Sequence, residues 1–396
     1  MGTDKKCSIE GKPNNKKENN KIGIVTFHCA ENYGAYLQAF ALQKWLQMRM
    51  SSGVDIKIIN YRPAYLIRPY KIRVKDYVGK NISIIQKGKN IVIASIEIPY
   101  KLLKKRRFRQ AERFLPLTKP YYSNEIVLDN SYKALVLGSD QIWNTTLTHG
   151  ADPVFLGAIA GQNCKKISYA ASVGVSAYPL EIKKEISIFL SQLSSIGVRE
   201  KESVKILQPL SNCPIEVNVD PTLLIAPDIW NKYIHKVKYD NYILVYRVSA
   251  DSRMLQDAYR VAKKYKKIIL HFGEPSLKPI FPDVVVKSVA YCGPFDFISY
   301  ISSASLILTD SFHATCFSII FKKNFYTYLQ KSRSERLRTL ANIGEFNRRL
   351  LEYEETLTDQ QLNDMFTSSI EEYSNKFIIA RKQSEKYLLK ELEGIK

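Results

Sequence analysis

The sequence predicts two parallel α/β domains facing each other across a cleft, and three observations carry that prediction. A chain of 396 residues is too long for one ordinary core, which makes two domains the natural expectation. Apolar residues make up 45% of it, ample material for two buried cores. Short apolar runs alternate with helical patterns in two successive series, as βαβ units do when they build a parallel sheet.

The first series occupies residues 22–213. The apolar run at 22–27 predicts a buried strand. Residues 35–49 predict a helix, because Leu37, Ala41, Trp45 and Met48 recur at helical spacing and make one apolar face. Residues 56–60 form the next strand, and a basic, helical insertion follows at 65–115. Further strands are expected at 134–137, 166–170 and 195–198, the last two joined by a helix near 180–193. The second series fills 214–345, with strands at 242–246, 268–272, 284–287 and 306–309. Its helices are expected at 254–265, 295–302 and 314–321. The helix-forming segment 346–396 is expected to pack across the outside. Residues 1–21, rich in Lys and Asn, read as a disordered tail.

Several classes of protein are excluded at this stage. No stretch approaches the roughly 20 uninterrupted apolar residues that span a bilayer. Residues 1–21 lack the apolar core of a signal peptide, so the expectation is a cytoplasmic protein. The six cysteines are scattered without a C-x-x-C pair, which suits a reducing compartment. The five histidines never fall in H-E-x-x-H spacing and no D-x-D occurs, so neither a metal nor a cofactor is expected.

The charge balance is strongly basic, with 59 Lys and Arg against 38 Asp and Glu, a net charge of +21. Such a balance calls for an anionic partner. Between Arg68 and Arg113 there are 14 basic residues against three acids, densest from Lys104 to Arg109. A solvated helix face and a peripheral contact with anionic lipid at the inner face of a membrane, through 68–113, both remain open. No nucleic-acid reading motif accompanies the charge, and no nucleic-acid partner is expected.

In open parallel sheets, ligands bind outside the carboxyl ends of the strands. Polar clusters gather at those junctions here. Asn32, Tyr33 and Gly34 follow the first strand; Asn32 can cap the next helix, and Gly34 lets the backbone approach a ligand. Gly138, Ser139, Asp140, Gln141 and Trp143 follow the strand at 134–137, with Trp143 better suited to the core than to a sugar platform. Ser172 follows 166–170, and Arg199 follows 195–198. The segment Thr309-Asp310-Ser311-Phe312-His313-Ala314 ends the last strand and opens a helix, with Asp310 or Ser311 as its N-cap. His313 then lies in the first helical turn, beside unpaired backbone N–H groups and the positive end of the helix dipole. A histidine so placed can exchange a proton with a bound anion.

These clusters, in this order, resemble the polysaccharide pyruvyl transferase family. The matching segments are NYGAYLQAFALQ (32–43), VLGSDQIWN (136–144), ISYAASVG (167–174), VREKES (198–203), VDPTLL (219–224) and TDSFHATCFSIIFKKNF (309–325). The resemblance implies a GT-B-like fold, two Rossmann-like domains across a cleft, to which the sequence adds the C-terminal helices. It implies transfer of the pyruvyl unit of phosphoenolpyruvate, a co-substrate, onto two hydroxyls of a sugar or lipid-linked oligosaccharide, with release of phosphate. By the same resemblance His313 is the acid/base and Arg199 the donor clamp. Some members carry Arg two residues before the histidine, whereas this chain has Ser311. Ser311, Arg247 and Arg336 are therefore further candidates for the donor. Asp140 is the candidate to polarise an acceptor hydroxyl, and Asn32, Tyr33, Gly34, Ser139, Gln141 and Ser172 are candidates for the acceptor side. A GT-B glycosyltransferase using a nucleotide sugar is the alternative activity, and a non-catalytic basic binding protein the alternative class.

Overall fold

The computed structural model describes residues 20–72, 84–159, 164–249, 251–273, 281, 283–331, 334–366 and 371–395. The expected tail lies outside them except for residues 20 and 21, as do residues 73–83 of the basic insertion. The first sheet is built from β1 (Lys21–Val25), β2 (Asp55–Ile58), β3 (Tyr132–Leu137), β4 (Lys165–Ala171), β5 (Ser195–Val198) and β6 (Ile215–Val217), in the order β2-β1-β3-β4-β5-β6. The second comprises β7 (Tyr242–Tyr246), β8 (Ile268–Phe272), β9 (Val286–Val289), β10 (Leu306–Thr309), β11 (Phe325–Tyr328) and β12 (Leu350–Leu351), in the order β12-β11-β10-β7-β8-β9. All neighbouring strands pair in parallel.

Each sheet reverses its strand order once, between β1 and β3 in the first and between β7 and β10 in the second. Such switch points leave a crevice beyond the strand ends, because successive connections depart to opposite faces. The helices of the first half are α1 (Tyr33–Arg49), α2 (Ala64–Ile67), α3 (Ile84–Ala111), α4 (Leu180–Leu190) and α5 (Lys201–Leu207). Those that follow are α6 (Pro227–Asn231), α7 (Arg253–Tyr265), α8 (Pro294–Ser303), α9 (Phe312–Ile320), α10 (Glu335–Gly344), α11 (Asp359–Asp364) and α12 (Glu371–Glu391). No helix among the described residues is long and apolar enough to cross a membrane.

Helix α1 carries more than the single apolar face its spacing predicts. Asn32 caps it by accepting from the Ala35 amide, and nearly every residue from Tyr33 to Leu46 is buried, while Met48 is exposed. The reason is its position between the two sheets. Tyr33 stacks on Phe297 of α8 with ring centroids 4.7 Å apart, and Phe40 meets Trp230 of α6 at 5.6 Å. Helix α3 bridges the same two bodies: the Tyr36 hydroxyl donates to the Ala111 carbonyl at 2.6 Å, and Arg107 lies 4.0 Å from Asp296 of α8.

The segment 346–396 does not merely lie across the outside. Tyr373 packs on Phe346, and Phe377 lies against Gly344 at the end of α10. Further along α12, the Tyr387 hydroxyl donates to the Ser168 carbonyl at 2.8 Å and accepts from Ser195 Oγ at 2.7 Å, fixing the helix to β4 and β5. Glu391 pairs with Lys165 at 2.9 Å. The chain thus returns to its first half and straps the two sheets together.

Tyr387→Phe is expected to lower stability by about 1–3 kcal/mol, because it leaves a buried carbonyl and a buried hydroxyl without their shared partner. Urea unfolding monitored by circular dichroism measures this, with the native spectrum unchanged.

Candidate active site

The loops beyond the two switch points face each other and enclose a cavity of about 390 Å³. Phe27, Ala30 and Asn32 reach it from the end of β1, Asp140 and Gln141 from β3, Tyr246 and Val248 from β7, and Asp310 to His313 from β10. Tyr65, Tyr70, His149 and Arg336 are among the residues that line the rest of the wall. Four strands contribute, and they are the four that flank the two reversals.

The helix α9 begins at this cavity. Its N-cap is Ser311, whose hydroxyl accepts from the Ala314 amide at 3.4 Å. Asp310 instead holds the loop after β7, accepting from the Val248 amide at 2.7 Å and from the Ser249 amide at 2.9 Å. The first-turn amides of Phe312 and His313 have no carbonyl four residues back to receive them, so the helix start offers donors and positive potential to an anion.

The His313 ring is held between the two domains. Its Nε2 is buried and faces Asp220, with Oδ2 at 3.5 Å, close enough for charge attraction though not aligned as a hydrogen bond. On the other side, a β-carbon at Gly34 would fall 2.1 Å from Nδ1. Only glycine at that position of α1 lets the imidazole occupy this place. A carboxylate facing Nε2 favours the tautomer with its proton on that nitrogen.

Behind His313 lies a buried ion cluster. Asp220 Oδ2 accepts from Arg199 Nη1 at 2.9 Å, while Oδ1 accepts from the Thr222 amide and hydroxyl at 3.0 and 2.8 Å. Arg199 also lies 3.5 Å from Asp140 and 3.9 Å from Glu200, and its guanidinium stacks 4.5 Å over the Phe312 ring. Burial works against the Asp220 carboxylate, but His313 and Arg199 outweigh it and hold the carboxyl well below its usual range. Burial likewise opposes the Arg199 charge, and the three carboxylates more than offset it.

Comparison with known sequences then decides the family. The sequence model of polysaccharide pyruvyl transferase matches residues 32–330. The chain belongs to the polysaccharide pyruvyl transferase family. No curated protein matches it in sequence. Among solved structures, S. aureus MnaA with UDP aligns at a TM-score of 0.51 and 11% identity, covering 94% of this chain and 97% of that one. A UDP-GlcNAc 2-epimerase from Neisseria meningitidis, bound to UDP-GlcNAc, aligns at a TM-score of 0.49 and 14% identity, covering 94% and 100%. At its identity the likeness to MnaA shows the fold alone, a GT-B-like pair of Rossmann-like domains.

In this pyruvyl transferase family member the cavity gathers half of the residues singled out from sequence: His313, Ser311, Arg336, Asn32, Asp140 and Gln141. The other six are turned away from it. Arg199 is fully enclosed by carboxylates and an aromatic ring, so it supports Asp220 rather than projecting toward a donor. Arg247 lies between two cavity residues along an extended strand end and points the other way, donating to the Asp251 carbonyl at 3.1 Å. Tyr33 is spent in the aromatic core, and Gly34 adjoins His313 instead of a ligand. Ser139 donates to the Ala170 carbonyl and Ser172 to Glu200, both fully buried. Trp143 is a core residue whose indole donates to the Phe155 carbonyl.

The residue that sequence reasoning missed is Asp220. It lies in the VDPTLL segment, and an Asp before Pro at a helical start signals a cap, which it is; nothing in the pattern shows that its second oxygen faces a histidine 93 positions later. Tyr65, Tyr70 and His149 were also missed, because they come from the four-residue α2, the single turn after it and a turn, all too short to show a pattern.

Asp220→Asn is expected to lower turnover by two orders of magnitude or more, since the imidazole loses its orienting charge. It also carries a pH signature. A carboxyl held low contributes stability above its unfolded pKa of about 3.9, and that contribution is lost as pH falls below it. The wild type should exceed the variant by about 2–4 kcal/mol at pH 6, with the gap shrinking at pH 3. Urea melts at the two pH values measure it.

Proposed function

We propose that the protein transfers the pyruvyl unit of phosphoenolpyruvate onto two hydroxyls of a sugar, forming a cyclic ketal and releasing phosphate. The observation that carries this reading is His313 in the switch-point cavity, with one nitrogen sealed against a buried carboxylate and the other left for proton exchange. Family membership supports the reaction class.

The donor is a polyanion, and the α9 start is where it is best received. The Phe312 and His313 amides, the Ser311 hydroxyl and Arg336 take the place that sequence comparison suggested for Arg199. His313 Nδ1–H protonates C-3 of the enol, and positive charge develops at C-2. One sugar hydroxyl attacks C-2, assisted by Asp140. The second hydroxyl then forms its bond to C-2 as the C–O bond to phosphate breaks. Of the two protons released by the hydroxyls, one replaces that given to C-3 and the other leaves with phosphate. Asn32 and Gln141 supply hydrogen-bonding groups on the acceptor side.

His313→Gln should cut phosphate release from phosphoenolpyruvate plus oligosaccharide acceptors by at least a thousandfold while the melting temperature stays within a few degrees. Near-normal turnover would remove His313 from the mechanism. In the wild type, phosphoenolpyruvate should raise the melting temperature and nucleotide sugars alone should not; the opposite pattern would favour a glycosyltransferase.

A further inference from the structure

A helix on the surface of a water-soluble domain ordinarily turns its polar side outward. Helix α3 does not. Its inner side is accounted for: Ala94, Phe108 and Ala111 are buried, Phe108 lies 5.4 Å from the Tyr33 ring, and Tyr100 stacks on Tyr291 with centroids 5.9 Å apart. Glu97, the one acid of the helix, is partly buried and pairs with Lys101 at 3.0 Å. The outer side is left to solvent, and much of it is apolar. Ile91 and Val92 are 54% exposed, Leu102 53% and Leu103 45%. No other helix among the described residues exposes four large apolar side chains.

Helical spacing sets cations on the same face. Ile91, Leu102 and Arg109 are separated by about three and five turns, so they project in nearly one direction. Val92 and Arg106, about four turns apart, run beside them. Arg106 and Arg109 are both exposed, and no acid is among the exposed residues of 90–111. Arg107 belongs to the margin of the face, where it packs against Gly293 and lies 4.0 Å from Asp296.

The chemistry of this face selects what covers it. A nucleic acid would neutralise the arginines through its phosphates but leave the apolar side chains in water. A second copy of the chain would bury the apolar side chains but press together two helices that each carry eight basic residues against one acid. An anionic bilayer meets both demands, because the acyl boundary receives Ile, Val and Leu while the lipid phosphates receive Arg. The helix is not long and apolar enough to cross a membrane, so the geometry is that of a helix lying in the plane of the interface.

We propose that the outer face of α3 is a docking surface for an anionic phospholipid bilayer. Ile91, Val92, Leu102 and Leu103 enter the interface, and Arg106 and Arg109 hold the phosphates. Both domains grip the end of α3, through Tyr36 to Ala111 and Arg107 to Asp296, so docking holds the whole molecule against the lipid. The proposal stands on the helix face and does not depend on the reaction assigned to His313.

Flotation of the full-length protein on a density gradient tests it. Vesicles of equimolar phosphatidylglycerol and phosphatidylcholine should carry the wild type upward, and vesicles of phosphatidylcholine alone should not. Leu102→Gln/Leu103→Gln and Arg106→Gln/Arg109→Gln, all at exposed positions, should each weaken binding to the anionic vesicles by about tenfold or more, with circular dichroism and melting temperature unchanged. His313→Gln should float as the wild type does, which separates this result from the fate of the pyruvyl-transfer reading. Equal binding to neutral and anionic vesicles, or undiminished flotation of either double variant, overturns the proposal. A concentration-dependent dimer that the leucine variant dissociates, with no flotation of the wild type, gives the face to a second copy and also overturns it.

Discussion

Arg199, Asp220 and His313 form a buried relay of charge that crosses from one domain to the other, and the site depends on it. Asp220 has lost its hydration and needs compensation from both sides: Arg199 at 2.9 Å from the first domain, His313 at 3.5 Å from the second. Arg199 in turn requires carboxylates, and it has three within 4 Å. Formally the cluster holds three negative charges against one positive, which leaves surplus negative charge behind the His313 ring. Gly34 completes the constraint sterically, because any side chain there would displace the ring. One interaction thus ties interdomain geometry to the orientation of the ring.

The fold was legible in the sequence wherever apolar runs were long enough to show a period. Strand and helix alternation located β7, β8 and β10, and placed α1 within two residues of its observed start. It missed β6 and β12, which have three and two residues, too few for any periodicity, and also β11, which is as short as β10. It placed β9 two residues early, at an edge strand that is only partly buried. The single apolar face assigned to α1 understated its burial, since the second domain covers the remaining faces, and a local pattern carries no information about a partner from elsewhere in the chain.

The site divided along the same line. Residues that reach the cavity from a strand end, such as His313, Asp140 and Asn32, could be found from position and residue type. Arg199 could be singled out by its place at a strand end, but its enclosure could not be read, because its three carboxylates come from three segments. Asp220 looked like a helix cap and is one; its second oxygen has the larger role. The basic run at 104–109 reads as one block of charge, yet helical geometry sends Arg106 and Arg109 to the exposed face of α3 while Lys104 and Arg107 are committed to packing.

The central claim is that the phosphoenolpyruvate donor binds at the α9 start with its enol carbon beside His313. A crystal structure of the protein with phosphoenolpyruvate bound tests it most directly. The account predicts C-3 of the donor within about 3.5 Å of His313 Nδ1, the separation at which reacting atoms are poised. It also predicts phosphate on the Phe312 and His313 amides and Arg336. Donor density elsewhere, with the His313 cavity empty, would contradict the account.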